Sequence, residues 1–240
     1  MHTFTRAIQK TAMLFTVIVS VISPPTISSA SISTCAPANY SVVYINGIWT
    51  TDAKSAAFEL QRAIGTTHNG QRVKVSIAYN KTHGKTSDLA DVFRQKLNEY
   101  PGVAAELLIK GLTSGIGLGL PDPLVEFIHS YNIGKIRDAG NVGYSDEDLR
   151  DIVGFIRGSI TENQKILLVP HSQGNLYANS AYAALTSGSD AIPESSIKIV
   201  GIASPAAYVG GNGDYVSSTN DLVINGLRAA SNLSPRKPSG

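Results

Sequence analysis

Lys165–Leu185 reads KILLVPHSQGNLYANSAYAAL, and the fold is decided by how this stretch is read. Lys165–Val169 is an apolar run too short for a helix, and it predicts a buried strand. Leu176–Leu185 is rich in alanine and predicts a helix. Pro170-His171-Ser172-Gln173-Gly174 must therefore turn the chain from one to the other within five residues. Ser-x-Gly alone carries little, because two residues each near ~7% of average usage meet at that spacing about once in a chain of this size. The flanks change its meaning. A sharp strand-to-helix turn lifts a serine hydroxyl out of the sheet, in a strained backbone conformation that two fixed flanks can hold. The helix N-terminus beneath it offers free N–H groups and a positive dipole end, both favourable to an oxyanion. Gly174 lets the helix approach closely, and small Ala178 and Ala181 continue that packing at helical spacing.

Outward from this point the chain alternates β-rich runs with helical patterns. Ser41–Ile45 predicts a first strand that ends at Asn46-Gly47. Ala53, Ala56, Ala57, Leu60 and Ile64 fall at helical spacing, with Gly65 as a stop. Val73–Tyr79 predicts a second strand, followed by a helix with Leu89, Val92, Phe93 and Leu97 on one face. Leu149, Ile152, Val153, Ile156 and Ile160 form another apolar helical face ahead of Lys165. Ile197–Ile202 and Asp214–Ser218 predict two more strands. This order is the signature of βαβ units: an α/β fold, with a mostly parallel sheet and helices on both faces. Residues 103–143 interrupt it with an apolar, Gly-rich segment, Gly111–Leu120, which reads as a packed connection or, slightly better, as a cap over a site. Gly115-x-Gly117-x-Gly119 neither follows a clear strand nor opens a helix, so it does not read as a phosphate loop.

Length and composition bound the rest. The chain has 240 residues, 42% hydrophobic and 16% charged, which suits one globular domain with a sizeable core. Residues 1–30 carry Arg6 and Lys10, an apolar run at Thr11–Ile22, a break at Pro24-Pro25 and small residues at Ser28-Ser29-Ala30. They read as a signal peptide, which leaves 31–240 as the mature domain and implies export to the periplasm or the medium. The formal net charge of +2 falls to zero once Arg6 and Lys10 are removed. A neutral surface has no footprint for nucleic acid or anionic lipid, and the apolar run is too short for a stable membrane span. Cys35 is the only cysteine, so no internal disulfide can form. The five histidines, His2, His68, His83, His129 and His171, are scattered, and nothing points to a metal or another cofactor.

Pro170-His171-Ser172-Gln173-Gly174 resembles the nucleophile elbow of the α/β-hydrolase superfamily, Gly-x-Ser-x-Gly, with Pro170 in place of the first glycine. Proline fits the last strand position where its missing N–H is not needed by the ladder. Tyr44-Ile45-Asn46-Gly47-Ile48-Trp49 occupies the place of the family's early oxyanion loop, with Asn46 where a histidine is common. The resemblance implies Ser172 as nucleophile and the backbone N–H groups of Gln173 and Ile48 as oxyanion donors. It also implies an acid beyond a late strand, for which Asp221 fits better than Asp214, since Asp214 would start the strand. It covers about Ser41 to Leu227, specifically at the elbow and diffusely elsewhere.

The family's third member, a histidine after the acid, has no counterpart, because no histidine follows His171. His171 itself neighbours the nucleophile, where adjacent side chains diverge, and reads as a structural histidine. The tail after Asp221 is polar and Pro-rich, so the last strand and helix of such a fold are expected to be missing, as in a truncated gene product. The resemblance implies a serine hydrolase of carboxylic esters, small-molecule or lipid, that works through a Ser172 acyl-enzyme with no cofactor or metal. Without the histidine this chain is expected to be inactive or nearly so. Acyl transfer at the same serine, or a non-catalytic binder on a hydrolase scaffold, are the alternative readings.

Overall fold

The computed structural model describes residues 39–81, 88, 91–92, 94–96, 99, 147–160, 164–221 and 224. The expected signal peptide 1–30, the expected cap 103–143, the C-terminal tail, His83 and His129 lie outside the described residues.

Among the described residues six strands form one sheet: β1 (Tyr40–Ile45), β2 (Thr67–His68), β3 (Gln71–Ala78), β4 (Lys165–Pro170), β5 (Ile197–Ile202) and β6 (Asp214–Val216). Their order across the sheet is β2-β3-β1-β4-β5-β6, parallel throughout except for the short β2–β3 pairing. The described helices are α1 (Ala53–Ile64), α2 (Glu147–Ile160) and α3 (Gly174–Thr186). Asp88, Asp91, Val92, Arg94, Gln95 and Lys96 are helical too, where a helix was expected between β3 and α2. The α/β architecture with a mostly parallel sheet therefore holds.

β1, β4 and β5 lie inside the sheet and bury both faces, so they read as continuous apolar runs rather than as alternating ones. Their side chains divide by parity between two cores. Val43, Ile45, Ile166, Leu168, Ile197 and Ile199 point to one face, where Ile152 and Ile156 of α2 and Tyr177, Ala178, Ala181 and Leu185 of α3 cover them. Val42, Tyr44, Leu167, Val169, Val200 and Ile202 point to the other, against Ala53, Ala56, Ala57 and Leu60 of α1. Asp52 starts α1 by accepting a 2.9 Å hydrogen bond from the Ser55 N–H, and Gly65 ends it with φ 78°.

Two details depart from the sequence expectation. A two-residue hairpin precedes β3: Asn69 and Gly70 both have positive φ, 49° and 74°, and join β2 to β3 in the tight turn that Asn-Gly favours. The last strand ends at Val216 rather than Ser218, and the Ser217 side chain is buried beyond the strand end.

Candidate active site

β4 is one of the two middle strands of the sheet, and its C-terminal end makes the turn on which the site is built. Ser172 has φ 52°, a left-handed conformation that costs a non-glycine residue roughly 1–3 kcal/mol and persists only where the surroundings fix it. They do so on three sides. The Ser172 N–H donates to Ile202 O of β5 at 3.0 Å, and the His171 N–H to Ile45 O of β1 at 2.9 Å. Asn175, on the first turn of α3, donates through Nδ2 to Ser172 O at 2.8 Å and to Ile202 O at 3.0 Å. Pro170 sits in a gap of the β4–β5 ladder, between the Leu168↔Ile199 pair and the His171↔Ile202 bridge, so its missing N–H leaves no ladder bond unmade.

Close approach explains both glycines of the site. A Cβ on Gly174 would run into Ile45 O, so α3 can start against β1 only because that Cβ is absent. A Cβ on Gly47 would stand 2.7 Å from Ser172 Cβ and 3.1 Å from His171 O. The loop after β1 therefore lies directly against the serine, and the two segments singled out in the sequence meet in space. Within this loop, Gly47 O accepts from Thr50 Oγ1 at 2.9 Å and from Asn46 Nδ2 at 3.1 Å, and Trp49 has φ 56°.

The backbone N–H groups around the serine divide into engaged and available ones. The Gly174 N–H donates to His171 O at 2.9 Å and the Asn175 N–H to Ser172 O at 3.0 Å. Among the described residues, the N–H groups of Gln173 and Ile48 donate to no acceptor, and no side chain caps α3 at Gln173. Two donors thus remain beside a serine that stands at a helix N-terminus.

The acid candidates separate by position. Asp214 starts β6 opposite Val200, and it is exposed to solvent. Asp221 is partly buried beyond the C-terminal end of β6; its N–H donates to Ser218 O at 3.2 Å and its Oδ1 accepts from the Ile224 N–H at 3.1 Å. Burial pushes the His171 imidazole below its ordinary pKa, and the nearby negative charge of Asp221 pulls partly the other way. His171 Nδ1 lies against Gly47, 3.3 Å from where a Cβ would be. His68 sits on the edge strand β2.

Sequence reasoning singled out Asn46 and Gln173 for the loop and the backbone, but it passed over Asn80 and the side-chain contacts that fasten this turn. Asn46, Asn80 and Gln173 form a buried carboxamide cluster, described further below. A second fastening holds the loop that follows β5. Lys96 Nζ donates to Glu99 Oε2 at 2.9 Å and to Pro205 O at 2.9 Å, and the Ala207 N–H reaches the same carboxylate oxygen at 3.3 Å. Burial raises the Glu99 pKa, against the opposing pull of Lys96. Asn179 of α3 joins from the other side, donating to Tyr208 O and accepting from the Gly210 N–H, both at 2.9 Å. The only sequence signals are polar residues on otherwise apolar helical faces.

Among the described residues no three His, Cys, Asp or Glu side chains gather into a metal-binding group, and no helix is long and apolar enough to cross a membrane. No family model, no curated protein and no solved structure matches this chain.

Proposed function

We propose that this protein is a serine hydrolase of carboxylic esters, of the α/β-hydrolase type, with Ser172 as its nucleophile. The observation that carries the reading is the φ of 52° at Ser172, on a turn from β4 into α3, with Gly47 packed against its Cβ. Strained backbone of this kind clusters at active sites, and a strand-to-helix turn is where a nucleophilic serine needs it. The order of the sheet supports it, since the loop after β1 can flank the serine only because β1 pairs directly with β4.

In this reading Ser172 Oγ attacks the acyl carbonyl, and the N–H groups of Gln173 and Ile48 hold the negative charge that develops on the carbonyl oxygen. The alcohol leaves, and water then releases the acyl group from Ser172. Asp221 orients the base that takes the Ser172 proton and returns it to the departing alkoxide; among the described residues no histidine hydrogen-bonds to Ser172 Oγ. No cofactor or metal takes part in this scheme. The substrate is a small-molecule or lipid ester.

Imidazole in solution can stand in for the base and so isolate the rest of the site. Short p-nitrophenyl esters should be hydrolysed faster by the wild type with added imidazole than by Ser172→Ala under the same conditions. Equal rates for the two proteins at every imidazole concentration would overturn the proposal.

A further inference from the structure

The β1–β3 ladder ends at the pair Ile45↔Ala78, and three carboxamides meet just beyond it. Asn46 Nδ2 donates to Asn80 O at 2.8 Å, and the Asn80 N–H donates back to Asn46 Oδ1 at 2.8 Å. Asn80 Nδ2 then donates to Gln173 Oε1 at 2.8 Å. Asn46, Asn80 and Gln173 are 0%, 3% and 2% exposed. We propose that Asn80 is a positioning residue of the oxyanion hole, its amide tying the loop that carries the Ile48 N–H to the turn that carries the Gln173 N–H. This rests on the reading of those two N–H groups as the oxyanion donors.

The cluster is not needed to hold the sheet. β1 is already paired with β3 from Tyr40↔Val73 to Ile45↔Ala78, and with β4 from Tyr40↔Lys165 to Ile45↔Pro170. What the ladders leave unfixed is the loop after Ile45 and the turn after Pro170, and these are the segments the carboxamides join. A glutamine beside a helix start ordinarily reaches water, so burying this one requires a partner for its amide. Asn80 Nδ2 is the partner of its oxygen. Oxyanion donors act only when both stand about 2.7–3.1 Å from the position where the charge forms, so a link between them sets the spacing that matters. The backbone of Asn80 makes the pair with Asn46 whatever side chain stands there. Only its side chain reaches Gln173.

Asn80→Ala therefore cuts the link, together with the long 3.5 Å contact from Asn80 Nδ2 to Asn46 O, and leaves the reciprocal 2.8 Å pair with Asn46 in place. The first measurement is the 15N order parameter of the Ile48 and Gln173 amides. Both should fall from the rigid value of about 0.85 towards 0.6, while Val43 and Leu168 in the strands stay rigid. The second is the Ser172-dependent, imidazole-assisted rate, which should drop roughly 10-fold or more in kcat with KM little changed. Should Asn80→Ala unfold because Gln173 Oε1 is left buried without a donor, the double variant Asn80→Ala/Gln173→Met removes that oxygen and should show the same loss of order. Unchanged order at both amides overturns the proposal. If order is lost but the wild type has no Ser172-dependent rate, the clamp stands and the hydrolase reading falls. If the wild type turns over, and order and rate both survive the substitutions, the clamp falls and the hydrolase reading stands.

Discussion

At the scale of single residues, the site depends on charge and on close contact. The His171 imidazole is held below its usual pKa by burial, so the folded state binds fewer protons than the unfolded chain as pH falls through the ordinary histidine range, near ~6.5. Its contribution to stability is present above that range and is lost as pH drops towards the folded pKa. His171→Gln should flatten this part of a stability-versus-pH curve measured by denaturant unfolding. Asp221→Asn should lower the His171 pKa further in an NMR titration, since the pull that offsets burial is gone. No change would place Asp221 too far away to act on the site. Gly47 admits no such latitude. Gly47→Ala puts a methyl group 2.7 Å from Ser172 Cβ, and is expected to cost about 1–3 kcal/mol in unfolding measurements and to abolish any Ser172-dependent rate. Ser172 and Gly174 were legible in the sequence because the motif is local. Asn80 was not, because its partners Asn46 and Gln173 are brought to it from distant parts of the chain.

At the scale of elements, α3 and β4 act as one unit. Ala178 and Ala181 are fully buried against the sheet, and the missing Cβ of Gly174 lets the first turn touch β1. The periodicity of alanine announced this close packing before the partner strands were known. Ala178→Leu should destabilise by about 1–3 kcal/mol through overpacking, read as a lower denaturation midpoint with an unchanged m-value. The buried Lys96–Glu99 pair is the corresponding fastening for the loop after β5. Lys96→Met strands the Glu99 carboxylate and should cost about 3–5 kcal/mol, whereas an apolar replacement of both side chains should cost far less. The β2–β3 hairpin shows the limit of reading by hydrophobic period. Thr67-His68 is too short to give a pattern, yet Asn69-Gly70 carries the turn signal.

At the scale of the whole molecule, the proposed hydrolysis needs a base, and among the described residues no histidine hydrogen-bonds to Ser172 Oγ. Losing the histidine of a serine-hydrolase triad costs on the order of 10⁶-fold in turnover. The 240-residue chain without added imidazole is therefore expected to hydrolyse p-nitrophenyl esters barely above background, with Ser172→Ala changing little. Robust turnover that Ser172→Ala abolishes, and that His83→Ala or His129→Ala also abolishes, would identify that histidine as the base. Export is a proposal at the same scale, carried by Arg6, Lys10 and the apolar run Thr11–Ile22. N-terminal sequencing of exported protein should start at or near Ser31, and Met1 retained on membrane-bound material would overturn it.

The sequence by itself determined what depends on near neighbours. Hydrophobic period gave the strands and helices of the α/β alternation, and a strand running into Pro170-His171-Ser172-Gln173-Gly174 and on into a helix gave the strained serine. Tertiary structure alone decided that β1 would pair with both β3 and β4, setting Gly47 against Ser172. It also decided that Asp221, which the sequence already set beyond the last predicted strand, would lie within the field of His171. The physical reason is the same in each case. Backbone geometry and side-chain periodicity act over a few residues, whereas strand order, and the buried polar contacts that follow from it, depend on which surfaces the whole chain can bury at once.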